Sequence, residues 1–89
     1  MDLIDLKVWF RESYAIQMAE QGIDVVEQVP AWLPKINVMT TERVSANELL
    51  VHRVPRAQAL KVKQSIKDGV VDKLGWTEEP SHVVVISLV

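Results

Sequence analysis

The segment His82-Val83-Val84-Val85-Ile86-Ser87-Leu88-Val89 is almost wholly apolar and rich in β-branched residues. Such a run reads as a strand buried on both faces. No charged residue follows it in the sequence. An open edge of this composition recruits other strands. The expectation is that it lies inside a sheet, or pairs with a second copy of the chain or with another protein.

At the other end, Ile4, Leu6, Val8 and Phe10 alternate with Leu3, Asp5, Lys7 and Trp9. Period two predicts a half-buried strand. Ser13 then has the chemistry of an N-cap. Tyr14, Ala15, Met18 and Ala19 share one helical side, with Gln17, Glu20 and Gln21 on the other. Gly22 falls where a glycine ends a helix. Ile23 to Val29 alternates again and predicts a second strand. Pro30 to Pro34 predicts an irregular connection, since proline suits neither a central strand nor a helix interior.

Ile36 to Val44 predicts a third strand, Ser45, Ala46 and Asn47 a turn, and Glu48 to Val54 the returning strand. A helix capped at Thr40 or Thr41 and running through Val51 competes with this hairpin. The hairpin is preferred because Val54 precedes Pro55, which favours extended backbone. Pro55 to Leu74 is the clearest helix, with Pro55 suited to the first turn. Ala59, Val62, Ile66 and Val70 form one stripe, and Leu60, Val71 and Leu74 a second. Gly69 costs this helix a little. Gly75 stops it, and Trp76 to Pro80 forms a loop before the last strand.

The order β-α-β-(β-β)-α-β predicts an α+β two-layer sandwich over residues 1–89. Two helices would cover one face of a mainly antiparallel sheet. This is the ferredoxin-like split-βαβ plan with an extra strand. The order alone, with no motif, is similar to that of small phage tail-completion proteins. That likeness implies a structural protein of a phage or mobile element, and no residue carries over from it.

Composition narrows the function. The chain has 89 residues, enough for one domain, and no cysteine, which excludes disulfides, thiolate metal sites and a Cys nucleophile. Its two histidines, His52 and His82, lack paired metal-ligand spacing, so neither a metal nor a cofactor is expected. No stretch reaches the roughly 18–20 apolar residues of a membrane span. The first residues carry Asp2 and Asp5 where a secretory leader needs bases, so a cytoplasmic protein is expected. Three glycines build no phosphate loop, and no hydrolase or metalloprotease motif occurs.

Net charge is −2, unevenly placed. Residues 1–35 are acidic, through Asp2, Asp5, Glu12, Glu20, Asp24 and Glu27. Residues 53–73 are basic, through Arg53, Arg56, Lys61, Lys63, Lys67 and Lys73. The pI of about 5.6 argues against a dedicated nucleic-acid binder.

These observations predict a small non-enzymatic protein–protein interaction or assembly domain. It would self-associate through a sheet face or edge, as a homodimer or with another protein. Leu3, Lys7 and Trp9, on the outward side of the first strand, are the candidate surface. The alternative is weak nucleic-acid binding through Arg53, Arg56, Lys63 and Lys67. With residues 41–51 helical, these would belong to a helix-turn-helix-like unit. Lys63 and Lys67 also suit plain snorkelling along the core edge. His52, beside Arg53, could act as a general base or pH switch, which with a carboxylate gives a third class, a small enzyme; among the acids themselves nothing in the spacing singles out a catalytic pair. Trp32 and Trp76 read as loop residues capping the core.

Overall fold

A computed structural model describes residues 2–89. Among them lie the strands β1 (Leu3–Phe10), β2 (Thr40–Arg43), β3 (Glu48–Pro55) and β4 (Val84–Leu88), and the helices α1 (Glu12–Glu20), α2 (Val25–Gln28) and α3 (Ala59–Asp72). Short 3-10 turns occupy Val29–Trp32, Arg56–Gln58 and Pro80–His82. The strands form one four-stranded sheet in the order β2-β3-β1-β4, with every neighbouring pair antiparallel. β1 and β2 therefore run parallel with β3 between them, and β3 and β4 run parallel with β1 between them.

The alternation in β1 works as read. Leu6, Val8 and Phe10 are buried, and their neighbours Leu3 and Lys7 are exposed. Leu49, Val51 and Val54 of β3 and Val84 of β4 join the same core face. The helices cover it with Tyr14, Ala15 and Met18 of α1, Val25 and Val26 of α2, and Val62, Ile66 and Val70 of α3. Period two in the strands and a spacing of three to four in the helices thus meet in one apolar layer.

Among the described residues the expected fifth strand is missing. Ile23 to Val29 contains α2, which runs on into a 3-10 turn. Asp24 is the cause: its carboxylate accepts the Glu27 N–H at 3.4 Å, capping the helix. Val25, Val26 and Val29 then share one helical side and are fully buried, and burial overrides their β preference. At α1 the cap position is Arg11 and not Ser13, which lies inside the helix, and Ala19 is exposed. Gly22 ends this segment with φ of 80°, a conformation a side chain resists.

The hairpin prevails over the helix in the middle of the chain. Its first strand is short, Thr40–Arg43, while residues 33–39 are irregular. The Ser45–Asn47 turn closes through a 2.9 Å contact between Ser45 Oγ and Asn47 Oδ1 and a 3.0 Å bond from Val44 N–H to the Glu48 carbonyl. Asn47 also fastens the turn to β1. Its side-chain amide donates to the Phe10 carbonyl at 3.0 Å, and its carbonyl accepts the Phe10 N–H at 2.8 Å.

α3 buries Val62, Ile66 and Val70 of its first stripe, with Ala59 only partly covered, and Leu60 and Val71 of the second are exposed.

The largest correction concerns the C-terminal strand. β4 is not interior; among the described residues it pairs with β1 alone and forms an edge of the sheet. Val84 is buried, whereas Val85 is 48% exposed and Leu88 58%. The two central places are taken by β1 and β3, so the apolar run has cover on one side only.

Candidate interaction surface

The sheet face opposite the helices presents cross-strand rows. Glu48, Trp9 and Val85 form one row, and Glu42, Leu50, Lys7 and Ser87 the next. Thr40, His52 and Asp5 lie beyond them, and then Leu3 beside Pro55. Trp9 and Leu50 are half-buried in this face. Leu3, Lys7 and Trp9 do share it, as their alternation implied. Lys7 is engaged with Glu48 at 3.9 Å, a weak exposed contact.

His52 is the best-defined polar centre. Its Nε2 lies 2.8 Å from Glu42 Oε1 and its Nδ1 3.2 Å from Asp5 Oδ2. One imidazole thus bridges β2, β3 and β1. Both ring nitrogens face carboxylates, so the doubly protonated ring satisfies both and the neutral ring only one. The Glu42 bond first, then the Asp5 bond, raises the His52 pKa above its usual 6.5. Asp5 is lowered, chiefly by the Arg53 N–H and next by His52. Sequence spacing hid this set, because register brings Asp5 beside His52.

That register depends on a bulge. Ile4 pairs with Val54 and Leu6 with Val51, so Asp5 faces both His52 and Arg53. Arg53 adopts φ of 59°, and its N–H donates to Asp5 Oδ1 at 3.0 Å. The Asp5 carboxylate therefore accepts at the kink and also holds the histidine.

The four bases of the nucleic-acid alternative are not gathered. Arg53 sits at the bulge, and Arg56 is bonded to Asp2 at 2.6 Å. Lys63 and Lys67 lie one turn apart on α3, both half-buried. Residues 40–43 and 48–55 are strands, so the helix-turn-helix arrangement is not formed.

The two loop tryptophans serve the core. Trp32 packs against Gly69, and Trp76 meets Tyr14 edge-on at 5.4 Å. Tyr14 is buried, its hydroxyl has no hydrogen-bond partner among the described residues, and burial raises its pKa.

The two edges of the sheet differ in kind. β2 is four residues long, exposed throughout, and carries Glu42 and Arg43. Arg43 makes a two-pronged bond to Asp24, at 2.6 and 3.1 Å. Short length and charge are the usual guards of an edge. β4, Val84-Val85-Ile86-Ser87-Leu88, has neither charge nor proline. Arg11 N–H donates to the Val83 carbonyl at 2.8 Å and Val89 N–H to the Asp5 carbonyl at 3.1 Å. Backbone polarity alternates along an antiparallel strand. Val85 and Ser87, like the Val83 carbonyl and the Val89 N–H, therefore turn toward β1, the Val83 N–H closing the preceding turn on the Pro80 carbonyl at 3.0 Å, and Val84, Ile86 and Leu88 turn their N–H and C=O groups outward. The apolar run is plain in the sequence, but which of its two sides lies open is set by the strand order.

Compared with protein-family models, curated proteins and solved structures, the chain finds no match.

Proposed function

We propose that this protein is a small non-enzymatic assembly domain that binds by strand addition at the β4 edge, on a ferredoxin-like split-βαβ framework. The contrast between the guarded β2 edge and the unguarded β4 edge carries this reading. A partner strand would satisfy the outward backbone groups of Val84, Ile86 and Leu88 and cover Leu88. The open face bearing Leu3, Lys7 and Trp9 continues from this edge through Val85, which pairs with Trp9. It offers a second contact area beside the added strand.

Amide hydrogen exchange at single residues tests the reading. A bare edge exchanges fast at Ile86 and Leu88 and slowly at Val85 and Ser87, whose N–H groups face β1. Slow exchange at all four, in concentrated protein or after adding an uncharged extended peptide, supports strand addition. Fast exchange at Ile86 and Leu88 under both conditions overturns it.

A further inference from the structure

Resting on the strand-addition reading, we propose that the strand completing β4 is β4 of a second copy. It would run antiparallel about a two-fold axis beside Ile86, fusing two four-stranded sheets into one. The outward positions are spaced evenly about Ile86. Pairing Val84 with Leu88 of the second copy, Ile86 with its twin, and Leu88 with Val84 gives each outward N–H a carbonyl. An arrangement that maps onto itself is what a two-fold interface requires.

The side chains agree with that register. On the core face, Leu88, which is 58% exposed, would lie beside Val84 of the second copy. On the open face, Val85 would lie opposite Ser87. No charge meets another charge, because β4 holds none. Pairing β4 with the β2 edge of another copy would instead set Glu42 and Arg43 against this apolar strand. That contact would also be head-to-tail and would not close on itself.

The absence of native cysteine makes the register directly testable. Directly opposed residues in non-hydrogen-bonded pairs have Cα atoms about 4.5 Å apart, within disulfide range, while diagonal positions are roughly 7–8 Å apart. Val85→Cys and Ser87→Cys chains are therefore expected to cross-link on mild oxidation when mixed, and neither variant alone. Light scattering over a protein concentration series is expected to give a dimer for the native chain. Leu88→Pro is expected to give a folded monomer, because the N–H it removes points away from β1. Leu88→Lys, which places a charge on the edge without touching the backbone, is expected to do the same.

A dimer that survives both Leu88 variants, or a cross-link that forms as well in either single-variant sample, overturns the proposal. A native chain that stays monomeric throughout overturns it too, and amide exchange then separates two cases. If an uncharged strand peptide slows Ile86 and Leu88, strand addition stands and only self-pairing fails. If those amides stay fast, both fail.

Discussion

Trp32 lies so close to Gly69 that a Cβ built on the glycine would overlap the indole ring. Gly69 is buried within α3, where alanine would be better by about 1 kcal/mol on helix preference alone. Space therefore accounts for the glycine. Gly69→Ala is expected to lower stability by about 1–3 kcal/mol, as overpacked sites do. In a Trp32→Ala background the same change should become neutral or stabilising, since the two sites share one contact. Denaturant unfolding of the four chains measures this, and additive effects would remove the explanation.

Arg53 supplies the opposite case, a residue in a conformation that suits glycine. Its φ of 59° is held by the bond from its N–H to Asp5. A left-handed conformation costs a side-chain-bearing residue roughly 1–2 kcal/mol, and glycine returns part of that gain as unfolded-state entropy. Arg53→Gly is expected to stabilise the fold by about 0.5–1 kcal/mol, read as a higher unfolding midpoint. Asp5→Ala should destabilise, because it leaves the bulge N–H without its acceptor.

His52 makes part of the stability depend on pH. Its pKa is raised in the fold by Glu42 and then Asp5. A raised folded pKa means that the contribution is complete below the usual value of 6.5 and is lost as pH climbs through the raised one. The native chain should lose stability over that window, and His52→Gln should not. Proton NMR should place the ring's midpoint above 6.5, and Glu42→Gln should bring it down. A midpoint at or below the usual value would mean that the bridge does not form in solution.

At the acid end, Asp24 does related work with the sign reversed. Arg43 is the largest cause holding its carboxyl below the usual 3.8. A depressed folded pKa contributes stability above 3.8 that disappears as pH falls through the lowered value. Asp24→Asn keeps a cap for α2 but loses the ion pair with β2. The expected cost is about 0.5–1 kcal/mol near neutral pH, at the level of exposed pairs, with a shallower acid decline. Thermal unfolding between pH 2 and pH 7, on the order of one unit per step, would show both effects.

The parts of this fold that were legible in the sequence have strong period or punctuation. β1 alternates cleanly, α3 repeats at three and four, and Gly22 and Gly75 stand where φ is positive. The α2 segment was misread because three valines look the same on a strand and on a short buried helix. The signal that separates them is Asp24, three residues before Glu27. The His52 bridge could not be seen because its partners arrive from β1 and β2 through register. The apolar run at Val83–Val89 gave the strand but not its place, since composition does not say which strands occupy the centre of a sheet.

Trp9 separates the edge from the face as the seat of association. The indole is half-buried in the row between Glu48 and Val85, and its backbone is already paired on both sides. If backbone bonds along β4 carry the contact, removing the indole does not remove them. Trp9→Ala is expected to cost about 1–2 kcal/mol of stability, for part of an aromatic burial, and to leave the assembly mass by light scattering unchanged. The reverse pattern, dissociation in Trp9→Ala with the dimer intact in Leu88→Pro, would move the interface onto the rows of Leu3, Lys7 and Trp9. Either pattern assigns the contact, because the edge presents main chain and the face presents only side chains.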